Sequence, residues 1–360
     1  MKTGIAIIGG GLSGLALARH LDRAGQDYQL FEARDRLGGR AHSLEYGNAG
    51  FDLGPSWFWP GQERMTKLVQ ELDLERFDQY ASGALSYETD TGEVVRNAGY
   101  ASMQGSWRLK EGMQGLIKRL AAQLPAARLH LGQALLEVAQ DGGLRFSSGQ
   151  QWQAQKVILA LPPRLAAELC FSPPLPPDQL DALRAIPTWM GGQAKFLALY
   201  DAPFWRKTGL SGDAMSQAGP LAEIHDASAP DVEINPEATA ALFGFVGLPV
   251  KARQGKDSAI EETALAQLVR IFGPEAAQPV RTAYLDWAQE EHSSAPLDQQ
   301  PPRQHPTYGL PPSLRGIWDG RLALCVSETA PEMGGYLEGA LAAAEDMARE
   351  IAKQFYKDQG

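Results

Sequence analysis

The 360-residue chain is poor in the side chains that build disulfide scaffolds and metal centres, with two cysteines and six histidines. Cys170 and Cys325 lie far apart without C-x-x-C spacing, and no two histidines stand at i, i+4. A disulfide framework and a zinc site are therefore excluded, and no metal is expected. Long apolar runs are missing too, so no transmembrane helix or membrane anchor is expected. Positive charge is in deficit: 33 Lys and Arg stand against 43 Asp and Glu, a formal net charge of −10. Such a surface repels phosphate backbones and anionic headgroups, which excludes nucleic acid as a partner.

What remains is an ordinary globular composition without like-charge blocks or low-complexity tracts. At about 100 to 200 residues per domain, the length allows two domains or one doubly wound unit with an insertion. The apolar run after Lys2, ending in Ala16-Leu17-Ala18, mimics a secretion signal. Glycines 9, 10, 11 and 14 interrupt it, and a cytoplasmic protein is expected.

Those glycines carry the strongest signal. Ile5-Ala6-Ile7-Ile8 reads as a buried parallel strand, Gly9-Gly10-Gly11-Leu12-Ser13-Gly14 fits G-x-G-x-x-G, and Leu12, Leu15, Ala16 and Leu21 form a helical stripe that stops at Gly25. A second strand, Tyr28 to Phe31, ends in Glu32 at the offset of a ribose-binding acid. In this motif Gly9 permits the tight turn, Gly11 lets backbone approach a pyrophosphate, and Gly14 lets the helix pack on the strand. The pyrophosphate meets free N–H groups at the positive end of the helix. Glu32 would accept from ribose hydroxyls and repel a 2′-phosphate.

The run Glu32-Ala33-Arg34-Asp35-Arg36-Leu37-Gly38-Gly39-Arg40 resembles the second glycine motif of the flavin monoamine oxidase superfamily, and Asp52-Leu53-Gly54-Pro55-Ser56-Trp57 its next segment. Gly334-Gly335-Tyr336-Leu337-Glu338-Gly339-Ala340, preceded by Ser327-Glu328-Thr329-Ala330, resembles its C-terminal signature. Gln193 to Tyr200 followed by Ala202-Pro203-Phe204-Trp205 resembles the strand that carries its active-site lysine, here Lys195. The resemblance implies an α/β fold: a Rossmann-type FAD-binding domain (1–75, 110–165 and 315–360) with an inserted mixed α+β substrate domain (76–109 and 166–314). It implies FAD contacts from Gly9, Gly11, Gly14, Glu32, Arg34, Gly38, Gly39, Arg40, Gly54, Ser56, Trp57, Leu135, Glu328, Gly335 and Leu337. It also implies that Lys195 holds a water beside the flavin's reactive nitrogen, and that Tyr336 forms an aromatic wall of the substrate slot.

Other readings stay open beside these. Period-two alternation puts Lys195 on a face with Leu197 and Leu199, so it is either buried there or snorkels from the strand end. Tyr336 could simply pack in the core. Trp57-Phe58-Trp59 reads as a cavity wall or as an apolar docking patch. No cysteine stands where animal monoamine oxidases attach flavin, so non-covalent FAD is expected. The first position of the aromatic cage falls on His305 counting back from Tyr308, or on Leu297 counting forward from Trp287. Trp57 and His305 are thus candidate substrate contacts.

The expected activity is hydride transfer from an amine C–N bond to FAD, with dioxygen as acceptor and hydrogen peroxide as product. The alternatives are a desaturase or dehydrogenase acting on a C–C bond, and a flavin-binding redox sensor without turnover.

Overall fold

The computed structural model describes residues 1–235 and 237–358. The run that mimics a secretion signal is the centre of the first sheet. Lys2–Ile8 is a strand, and Leu12–Arg23 the helix that follows the glycine turn. Successive side chains of the strand enter different cores: Ile5 and Ile7 pack with the helices, Ala6 and Ile8 on the opposite face. Both faces are covered, which is why the strand is apolar throughout.

Lys2–Ile8 pairs in parallel with Tyr28–Phe31 on one side and Gln151–Leu159 on the other. Leu129–His130 and Leu322–Leu324 extend this parallel set at its two ends. The first residues of Gln151–Leu159 instead pair antiparallel with Gly143–Phe146, which leads to Leu135–Ala139. Helices Leu12–Arg23, Gly112–Ala122 and Leu337–Asp358 cover one face through Leu15, Leu116, Leu120, Leu341 and Met347. The chain therefore returns to this sheet at its end, as alternating strand and helix signals at both termini suggest.

A second sheet has seven strands, in the order Arg281–Asp286, Ala194–Tyr200, Ala240–Val246, Leu221–Asp226, Leu210–Ser216, Ala84–Glu88 and Val94–Arg96. Its pairs are antiparallel except Leu210–Ser216 with Ala84–Glu88. Helix Asp257–Phe272 packs on this sheet through Ile260, Ala264, Leu268 and Ile271. Asp257 is the first residue of that helix, and Lys256 at the cap makes no side-chain bond. The architecture is α/β, a dinucleotide-binding unit joined to a mixed sheet-and-helix unit.

Candidate active site

One elongated cavity of about 750 Å³ runs from the glycine turn to the second sheet. The turn explains its first end. Gly9 takes φ +117°, and a Cβ on Gly14 would land on the Gly9 carbonyl, so the helix can start this close only on glycine. A Cβ on Gly11 would meet nothing within 4 Å, so the bare backbone borders open cavity at the positive end of the helix. That fits a pyrophosphate.

Glu32 is buried; its Oε2 accepts from Gly10 N at 2.7 Å and its Oε1 from Arg34 N at 3.0 Å. A carboxylate has further lone pairs for ribose hydroxyls. Arg34 is not a solvated loop charge: its guanidinium donates to Glu290 Oε2 and Ser293 Oγ, both at 2.9 Å. Residues 291–293 thereby roof the same stretch of cavity as Arg34 and Leu135.

Gly38 N donates to Gly10 O at 2.8 Å, which clips the second glycine segment to the first. Arg40 then makes a two-pronged pair with Glu328, Nη1 to Oε1 at 2.6 Å and Nη2 to Oε2 at 3.2 Å. Burial pushes the Glu328 carboxyl up, but the adjacent guanidinium overrides it and holds the group below the usual range. Glu328 itself does not line the cavity; it anchors Arg40, which does, along with Gly39, Gly54, Ser56, Gly335 and Leu337.

Lys195 is 4% exposed, so it does not snorkel. Its Nζ donates to Gly54 O at 2.6 Å and to Ser56 Oγ at 2.8 Å. The Phe243, Phe245 and Trp57 rings lie 4.4, 5.0 and 5.6 Å from that nitrogen. Burial pushes its pKa down to about 7, despite the opposing pull of Asp52, and Arg108 lowers it further. A neutral amine has two N–H groups, the number these two acceptors need.

Trp57, Phe58 and Trp59 form no docking patch: Trp57 and Phe58 are buried, and Trp57 and Trp59 line the cavity. Tyr336 lines it too, with its ring edge-on to Trp59. His305, not Leu297, meets Tyr336: the two rings stack at 4.9 Å between centroids. Neither residue lines the cavity: Leu297 is half exposed, and His305 stands behind Tyr336 rather than in contact with the substrate space.

Sequence reasoning missed Trp189, Phe245 and Glu223, which also line the cavity. Sheet register explains Glu223. Lys195 lies opposite Phe245, and Phe245 opposite Glu223, so all three stand in one row on the cavity face. Two strand spacings set the two chain positions about 10 Å apart. Burial pushes the Glu223 carboxyl up, but hydrogen bonds from His225 and Ser102 outweigh it and hold the group below the usual range. An ionised carboxylate therefore faces the cavity two strands from the lysine.

Residues 12–99 and 75–352 match the family model for flavin containing amine oxidoreductases. The chain belongs to that family. It is similar to a probable flavin-containing monoamine oxidase A of Dictyostelium discoideum, at 23% identity over 96% of this chain and 97% of the relative. An L-amino acid dehydrogenase of a Synechocystis strain is 27% identical over 96% of this chain and 94% of its own. Among solved structures, a redesigned putrescine oxidase superposes with TM-score 0.78 at 22% identity, covering 98% of this chain and 99% of that one. The family member is an FAD-dependent oxidoreductase, and the cavity fits its cofactor through the open face of Gly11 and the buried Glu32. No helix among the described residues is long and apolar enough to cross a membrane.

Proposed function

We propose that the protein oxidises a small cationic amine at the carbon bearing nitrogen, with dioxygen as the final acceptor and hydrogen peroxide as product. Bound non-covalently, FAD would supply the two-electron acceptor for the C–N bond. Gly9 and Gly11 would seat its pyrophosphate, with Gly14 letting the helix start close to it, Glu32 would hold its ribose and Leu135 its adenine, while Gly54, Ser56 and Lys195 flank the far end of the site. The dinucleotide unit would comprise 1–75, 110–165 and 315–360, with 76–109 and 166–314 forming the substrate side.

Tyr336 and Trp59 orient the amine and exclude water from the reacting carbon. In its neutral form the Lys195 amine, satisfied by Gly54 O and Ser56 Oγ, keeps a lone pair that can hold a water. The observation that carries the substrate class is Glu223, an ionised carboxylate in a cavity wall otherwise rich in aromatic rings. Such a group attracts a cation and gives nothing to a hydrocarbon, which favours amine chemistry over C–C desaturation. Among the similar structures is a wild-type putrescine oxidase bound to putrescine, a diamine. A second cationic group held at Glu223 is therefore part of this reading.

The test is an amine panel on the purified flavoprotein, following oxygen uptake and peroxide. Putrescine should be turned over with a lower KM than butylamine, and Glu223→Gln should remove the difference. Acid precipitation should release all the flavin to the supernatant. A flavin that no amine bleaches under anaerobic conditions overturns the proposal.

A further inference from the structure

Behind Glu223 stands a polar unit that the proposed chemistry does not use. His225 is two residues along the same strand, so its side chain points to the same face, one step deeper. It is 1% exposed and lies edge-on beneath Trp57, with ring centroids 5.0 Å apart. Its Nδ1 is 2.8 Å from Asp213 Oδ1, and its Nε2 is 3.0 Å from Glu223 Oε1. Asp213 comes from the neighbouring strand and is buried too. Ser102, from the segment before Trp107–Leu109, donates to the same Glu223 Oε1.

The division of labour at Glu223 is unequal. Oε1 receives both Ser102 and His225, whereas Oε2 has no hydrogen-bond partner among the described residues, and the carboxylate is partly exposed at the cavity wall. Two donors on one oxygen fix the rotation of the carboxylate and leave the other oxygen to a ligand. Aromatic rings surround His225 on the remaining sides, with Phe243 and Phe245 at 5.4 and 6.5 Å. Asp213 and Glu223 are thus the charged groups within its reach. Burial alone would lower the His225 pKa, but the hydrogen bonds to Asp213 and Glu223 raise it overall, and the imidazolium donates from both nitrogens, Nδ1 to Asp213 and Nε2 to Glu223.

We infer that Asp213 and His225 are positioning residues: they hold Glu223 rotated toward the cavity so that its free oxygen receives the second cation of a diamine substrate. The inference rests on the amine reading above and adds the groups that make the anchor work. It sorts their effects by substrate. Loss of the brace weakens capture of the distal cation and leaves the chemistry at the other end of the cavity, where Lys195 and Tyr336 stand, in place.

Steady-state kinetics with putrescine and with butylamine test it on the intact flavoprotein. His225→Phe and Asp213→Asn should raise the putrescine KM by about tenfold to a hundredfold, as expected for lost hydrogen bonds to a charged group. The kcat at saturation and the butylamine KM should move by less than about threefold, within the range of indirect effects. His225→Gln, whose amide can still donate to Glu223, should recover part of the loss. In a Glu223→Gln background, His225→Phe should add little, because the two act through one contact.

An equal rise for both amines, an unchanged putrescine KM, or full additivity with Glu223→Gln overturns the inference. If neither amine is oxidised, the functional reading fails, and tryptophan fluorescence titration with putrescine decides the brace separately. Binding by the native protein that His225→Phe abolishes and His225→Gln partly restores supports it. Absence of binding, or binding indifferent to residue 225, overturns it.

Discussion

The His305 imidazole lies flat on the Tyr336 ring, with centroids 4.9 Å apart and planes 17° from parallel. His305 Nε2 is also 2.9 Å from Gly334 O, so the imidazole is pinned to the turn that precedes the last helix. The pair is a single wall, braced from outside by His305 and facing the cavity with Tyr336. His305→Ala should loosen the tyrosine and raise the amine KM by about threefold to tenfold, the scale of one aromatic contact. Tyr336→Ala should cost more and should also lower kcat, with flavin content unchanged. Absorbance of the bound flavin alongside initial rates checks both.

Lys195 should give the enzyme a pH limb near neutrality. Burial lowers its pKa to about 7, whereas an unfolded lysine titrates at about 10.4. Between those values the unfolded chain binds one proton more than the folded one, so this residue makes stability rise with pH across that window. Below about pH 7 the folded protein carries the buried charge and the full cost of holding it. Lys195→Met should therefore melt higher relative to the native protein at pH 6 than at pH 9. The same substitution should abolish the limb near pH 7 in kcat/KM, measurable with any amine that is turned over.

Two glycines of one motif should fail differently. Ala at Gly14 collides with the Gly9 carbonyl and should depress the melting temperature of the apoprotein. Gly11→Ala projects into open cavity, so the apoprotein should melt normally while FAD affinity falls at least about tenfold, the expectation for a lost backbone approach to pyrophosphate. Flavin titration of both apoproteins, with calorimetry, separates the two.

The pair between Arg40 and Glu328 is asymmetric. Glu328 is fully buried, whereas Arg40 keeps about a quarter of its side chain exposed. Arg40→Ala strands a carboxylate without solvent, a loss of about 3 to 5 kcal/mol when one partner of a buried pair is removed. Glu328→Gln leaves a guanidinium that can still reach water, so it should cost less. Denaturant melts of the two variants should rank in that order.

Much of the dinucleotide end was legible because its parts are local. Strand, glycine turn, helix and Glu32 fall within 32 residues, and each follows from short-range backbone and packing rules. Lys195 was legible through alternation, as a charge on an apolar face. Glu223 was not. Its place beside Lys195 depends on both strands pairing with Ala240–Val246 in one register, which no local pattern encodes. The strand Leu210–Ser216 escaped notice for another reason: Gly212, at φ +84°, interrupts its apolar pattern and fits close against Trp205. The choice between His305 and Leu297 needed the loop's path in space, because counting from Tyr308 and counting from Trp287 arrive at different residues.

The contact from Arg34 to Glu290 and Ser293 joins positions more than 250 residues apart in the chain. In the proposed function the adenosine half would lie on this side of the cavity. A dinucleotide leaving broadside would then have to break that contact, and exchange of FAD would depend on an ion pair remote from the redox centre. Arg34→Ala should quicken that exchange while a saturated sample turns over as before, which stopped-flow mixing with a fluorescent FAD analogue would reveal.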